Sequence, residues 1–139
     1  MKKSSFEKNI GIIGLGVLGS AIAKNFIDKN ISISGYDINK KVFEGLKSNK
    51  IKAYDSIDEI SDKCEILITS LPSETSLIKV AKSLSKNDKL IIIETSTLPL
   101  DCKLEAKNIL NHAKSWSISD VGVKLKIITT LFYNKNLKK

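Results

Sequence analysis

The 139-residue chain contains no arginine, one histidine and two prolines, and aromatic residues make up only 6% of it. The missing arginine bears on partners. Nucleic-acid surfaces lean on the planar guanidinium fork and on aromatic stacking, and scattered lysines with few aromatics between them supply neither. Nucleic acid is therefore not an expected partner. Cysteine is scarce too: Cys64 and Cys102 stand in unrelated contexts without C-x-x-C spacing, so neither a disulfide framework nor a metal site is expected. Reduced thiols fit a cytoplasmic protein. Long hydrophobic runs are also lacking. Glycines break the apolar stretch from Ile10 to Ala23, and polar residues separate it from Met1-Lys2-Lys3, which argues against a signal peptide and against a membrane partner.

What is present is ordinary globular material, 42% hydrophobic and 27% charged. The length suits one domain, burying roughly 68–70% of the surface its unfolded form exposes, and leaves no room for a second full domain. Twenty-three basic residues against 15 acidic give a net charge of +8. This is a solvated lysine surface that would attract an anionic cofactor weakly over distance.

Short β-branched runs alternate with longer amphipathic segments, a pattern that predicts parallel strands joined by crossover helices. Strands are expected at Ile10–Gly14, Ile31–Asp37, Ile51–Tyr54, Glu65–Leu71 and Leu90–Thr95, with a sixth at Ser115–Asp120. Helices are expected at Val17–Lys29, Lys40–Ser48, a brief one from Ser56 through Ser61, Ser73–Leu84 and Leu100–Lys114. Ser56 with Glu59 forms the pattern of a capping box. Pro72 should end the fourth strand, and Pro99 suits a helix entrance. Leu125–Tyr133 is a further β-like run. The chain divides into residues 1–114, a dinucleotide-binding domain, and a divergent tail over 115–139.

Gly14-Leu15-Gly16-Val17-Leu18-Gly19 is a G-x-G-x-x-G that follows the first strand and opens the first helix. Asp37 lies 18 residues past Gly19, at the end of the next strand. That combination is the dinucleotide fingerprint of a Rossmann-type fold, an α/β architecture with a doubly wound, mostly parallel sheet and flanking helices. Gly14 allows the tight turn, Gly16 lets a pyrophosphate approach the backbone, and Gly19 permits close helix packing. The amides from Val17 to Gly19 would face the phosphates at the positive end of the helix dipole. Asp37 can accept from both adenosine ribose hydroxyls and would repel a 2′-phosphate, which favours NAD over NADP. Lys40 and Lys41 are close enough to blunt that discrimination. Asp37 could instead cap the next helix through Asn39 and Lys40.

Beyond the fingerprint, the chain resembles the β-hydroxyacid dehydrogenase family, which includes 3-hydroxyisobutyrate dehydrogenases. The resemblance spans about residues 10–114 and is carried by residues 11–20, Tyr36-Asp37, Ser70-Leu71-Pro72-Ser73 and Glu94-Thr95-Ser96-Thr97 leading to Pro99. It implies that Leu71 and Pro72 lie along the cofactor, that Ser76 adds a contact, and that Thr97 reaches the nicotinamide end. Without it, Pro72 is a strand terminator and Ser96 and Thr97 are helix caps. Glu94 stands where the family has aspartate.

The family's glycine-rich substrate loop has no counterpart after Ser119-Asp120-Val121-Gly122, and no segment matches its catalytic lysine and asparagine motif. Lys124 and Lys126 lack that context, His112 suits a helix C-terminus, and Trp116 suits packing of the tail. No catalytic residue is assigned.

The expectation is the cofactor half of an NAD-dependent oxidoreductase acting on a small 3-hydroxy acid, truncated and unable to turn over alone. The hydroxy acid would be a partner only if a second domain completed the site. A non-catalytic nucleotide-binding or interaction module remains open, as do a degraded gene product, 6-phosphogluconate dehydrogenase and imine reductase relatives, and a homo-oligomer.

Overall fold

The computed structural model describes residues 9–46, 49–110 and 115–118. Among these residues, six strands form one parallel sheet: β1 (Ile10–Ile13), β2 (Ile33–Tyr36), β3 (Ile51–Ala53), β4 (Ile66–Thr69), β5 (Ile91–Glu94) and β6 (Ser115–Ile118). Their order is β3-β2-β1-β4-β5-β6, the doubly wound arrangement. Ile12 pairs with Gly35 on one side and Ile68 on the other, and Ile92 pairs with Trp116 in β6. The chain reverses its direction of growth between β1 and β4, which opens a crevice at their carboxyl ends.

Four α-helices cover the sheet: α1 (Val17–Asp28), α2 (Ile57–Lys63), α3 (Glu74–Leu84) and α4 (Leu100–Ile109). Because side chains alternate along a strand, the sheet feeds two cores. Ile10, Ile12, Ile66 and Ile68 pack with Ile22, Ala23 and Phe26 of α1. Ile13, Leu67 and Ile92 pack with Ile60 of α2, Leu77 and Leu84 of α3, and Ala106 of α4. All four residues of β4 are buried, as a central strand covered on both faces requires.

Over the described residues 40–46 of the helix expected at Lys40–Ser48, a single 3₁₀ turn, Lys40–Phe43, stands in its place. Its start is set by Asn39, whose side chain accepts the Lys41 N–H at 3.2 Å, and no residue of the turn is buried. Val42 and Phe43 only partly cover the α1 core and Gly45 follows two residues on, so little stabilises propagation of a helix beyond this one turn. Helix α2 runs to Lys63, two residues further than expected. Ser56 caps it by accepting the Glu59 N–H at 3.1 Å. The return bond of the box is displaced, since the Glu59 carboxylate accepts from Asp55 rather than Ser56. Strand β4 ends at Thr69, three residues before Pro72, and α4 stops at Ile109 with Leu110 as its C-cap. The sixth strand is present over Ser115–Ile118. His112, the run Leu125–Tyr133 and the rest of residues 119–139 lie outside the described residues, as does the Trp116 side chain.

Candidate functional site

The chain turn after β1 is built from glycine for steric reasons that differ at each position. Gly14 has a φ of 93°, and a Cβ there would collide with the Ser70 carbonyl oxygen at the end of β4. Gly19, in the first turns of α1, approaches so closely that a Cβ would collide with the Gly14 carbonyl oxygen. Gly16 is the opposite case: nothing lies within 4 Å of where its Cβ would be. Gly16 is also the N-cap of α1, with no side-chain cap and no acidic residue in the first turn. The leading N–H groups of the helix therefore point toward the crevice with the positive dipole end behind them.

Asp37 fixes this turn from the neighbouring strand. Its Oδ2 accepts the Leu15 N–H at 2.7 Å, and its Oδ1 accepts the Asn39 N–H at 2.8 Å. Asp37 does not itself cap the 3₁₀ turn, because Asn39 is the N-cap and accepts the Lys41 N–H; one oxygen of Asp37 orders the cap residue through its amide and the other reaches across to the glycine turn. Each carboxylate oxygen keeps a lone pair beyond these bonds. Leu15 contributes through its backbone, since its side chain is buried in the α1 core and its carbonyl accepts from the Ser20 hydroxyl at 2.7 Å.

These pieces border one cleft of about 400 Å³. Of the residues singled out in the sequence, Gly14, Gly16, Val17, Asp37, Leu71, Pro72 and Ser76 line it. Val17 is almost fully exposed there. Leu18 is half-buried against the α1 core, Gly19 is buried beneath the turn, and neither lines the cleft. Thr97 is exposed and also stands outside the cleft wall. Ser76 has a second role, its amide donating to the Ser73 hydroxyl at 3.1 Å to cap α3.

Sequence reasoning missed Ile13, Ile38, Ile57, Lys79 and Val80 as wall residues, and it named Tyr36 and Ser70 only as carriers of the resemblance, with no place on the wall. Ser76, Lys79 and Val80 are three and four residues apart on α3, the spacing that brings side chains to one helix face, and extending from Ser76 would have found the other two.

The wall carrying Leu71 is anchored from β5. The Leu71 N–H donates to the Ser96 hydroxyl at 2.8 Å, and the Ser96 N–H donates to Glu94 Oε1 at 2.8 Å. Glu94 is fully buried, with Lys103 of α4 placed 2.9 Å from its Oε2. The pair is an ion contact whose direction falls short of a hydrogen bond at Oε2. Ser96 therefore clamps the cleft loop and does not cap α4, whose N-cap is Pro99 without a side-chain bond. Both cysteines are free and buried, and burial pushes both thiols above their ordinary pKa.

Comparison with known proteins decides the family. Residues 9–124 match the NAD-binding domain of 6-phosphogluconate dehydrogenase. The chain belongs to this NAD-binding domain family. The domain is 29% identical over 104 residues to the mitochondrial 3-hydroxyisobutyrate dehydrogenase of Drosophila melanogaster, covering 73% of this chain and 32% of that protein. The chain thus spans about a third of that relative's length. Its fold is that of an imine reductase from Myxococcus stipitatus solved with NAD+, at a TM-score of 0.75 and 11% identity over 88% of this chain and 43% of that one. The 3-hydroxyisobutyrate dehydrogenase of Mycobacterium tuberculosis superposes with a TM-score of 0.70 at 18% identity, covering 81% of this chain and 39% of that chain. The resemblance to β-hydroxyacid dehydrogenases noted in the sequence is borne out. No helix among the described residues is long and apolar enough to cross a membrane.

Proposed function

We propose that the cleft binds NAD in preference to NADP, and that this domain serves an oxidoreductase acting on a small 3-hydroxy acid. The observation that carries the reading is Asp37, a carboxylate held by two backbone amides at the edge of a cleft that also contains the glycine turn. Residues 1–114 with the adjoining β6 form the dinucleotide-binding unit. In it the amides of Val17, Leu18 and Gly19 receive the pyrophosphate, and Asp37 accepts from the adenosine ribose hydroxyls. Gly14, Leu15 and Gly16 shape the approach, and Leu71, Pro72 and Ser76 flank the cofactor, with Thr97 toward its nicotinamide end. The nicotinamide ring supplies hydride chemistry when bound. The acid/base lysine implied by the family has no match within these 139 residues, and the function proposed for them is dinucleotide binding.

Titration of the 139-residue protein with NADH, followed by cofactor fluorescence, tests this. Saturable one-to-one binding is expected. Asp37→Ala should weaken it by about 1.5–3 kcal/mol, the range for hydrogen bonds to a charged group, or roughly tenfold to more than a hundredfold. Absence of saturable binding, or an Asp37→Ala protein of unchanged affinity, would overturn the reading.

A further inference from the structure

Asp37 and Lys40 are three residues apart beyond β2, yet the fold turns them to opposite flanks of that strand. Asp37 Oδ2 faces β1, where it accepts from Leu15. Lys40 reaches toward β3, which lies on the other side of β2. There its ammonium donates to the Tyr54 carbonyl oxygen at 2.8 Å and sits 3.0 Å from Asp55 Oδ1. It also lies 5.7 Å from the centroid of the Tyr36 ring. Tyr36 lines the cleft and Lys40 does not. The lysine is thus held over a cleft-lining aromatic ring, beside the wall that carries Asp37, without itself lining the cleft.

This placement matters for a 2′-phosphate. Such a group brings about two negative charges and three acceptor oxygens, and beside Asp37 it needs a cation to offset the repulsion. Lys40 stands on the segment where that cation would have to come from, and its ammonium is already engaged by Asp55 and Tyr54. We propose that Asp55 is a specificity-determining positioning residue: by holding Lys40 against the loop after β3, it withholds a cation from a 2′-phosphorylated dinucleotide and leaves the charge of Asp37 unopposed. The proposal rests on the reading of the cleft as a dinucleotide site. It also reverses the expectation that Lys40 blunts the selection exerted by Asp37. Asp55 is 89% exposed and Lys40 49%, so the restraint is a surface ion pair reinforced by one carbonyl. Its effect should be several-fold and should shrink with added salt.

Parallel titrations of the 139-residue chain with NADH and NADPH at low salt provide the test. Asp55→Asn should tighten NADPH binding about three- to fivefold, the upper part of the range set by an exposed ion pair, with NADH binding held within about twofold. Adding Lys40→Ala to Asp55→Asn should return NADPH affinity to that of the parent, whereas adding Lys41→Ala should leave the gain in place. Unchanged NADPH affinity in Asp55→Asn overturns the proposal while leaving the NAD reading intact, provided NADH still binds. A gain that survives Lys40→Ala overturns it in the same way, because Lys40 would then not be the released cation, and so does a gain that Lys41→Ala abolishes, because it would then follow net charge, which both double variants return to the parent's value. A parent chain that binds neither dinucleotide overturns both.

Discussion

Gly14 and Gly16 stand two residues apart in the same turn and answer to different constraints. At Gly14 the backbone is left-handed and the space for a side chain is taken by the Ser70 carbonyl. At Gly16 the backbone has an extended φ of −70° and the adjoining space is open. Alanine at these positions should therefore separate folding from binding. Gly14→Ala should lose at least about 1–3 kcal/mol from backbone strain alone, read as a lower urea midpoint. Gly16→Ala should stay within roughly 0.5 kcal/mol of the parent in stability and yet bind NADH about tenfold or more weakly, because the new methyl stands where a pyrophosphate must approach. Equal losses of stability in the two variants would contradict the distinction. The sequence pattern identified all three motif glycines, but it could not show that Gly19 packs against Gly14 itself, because that contact depends on how tightly the turn closes.

At the scale of elements, long periodic segments were legible and the short segments between them were not. Helices α1 and α3 appear within a residue of their expected bounds, and Ser73 caps α3 by accepting the Ser76 N–H. The stretch after Asn39 misled because Val42 and Phe43 are only partly buried against the core and Gly45 follows them, and a short segment with so little packing does not propagate a helix. Another hidden feature is the join between β5 and α4. Glu94 stood out only as a replacement for the family's aspartate, and Lys103 was not singled out among the chain's 23 lysines. The fold buries both, at 0% and 5% exposure, and sets them 2.9 Å apart. Nothing in local spacing reveals a pair formed between a strand and the helix that follows it. Removing one partner leaves a charge buried without its counterion, so Lys103→Met should destabilise the domain by about 3–5 kcal/mol. The Glu94→Gln, Lys103→Met double variant should recover much of that loss, since the stranded carboxylate is gone. Denaturant unfolding of the single and double variants checks this, and additive losses would show that the two residues act separately.

For the whole molecule, the sheet divides the chain into two cores, and the α2–α4 core holds both thiols, Cys64 and Cys102. Burial pushes the Cys64 thiol above its ordinary value of 9.0, the Glu65 charge adds to the rise, and a hydrogen bond with Ser34 opposes it. The sign of the linkage follows from this direction. Above about pH 9 the unfolded chain releases a proton that the folded chain retains, so the unfolded state binds fewer protons and stability falls as pH rises. Below that pH both states hold the proton and the contribution is intact. Lysines also begin to titrate in this range, and a chain with 23 of them needs a reference that shares that background. Cys64→Ala supplies one. The difference in urea midpoint between parent and variant should be flat from pH 7 to about pH 9 and then move against the parent. A difference that stays constant through pH 10.5 would mean that the thiolate meets no greater penalty in the fold than in water, and that the core opens to solvent beside Cys64.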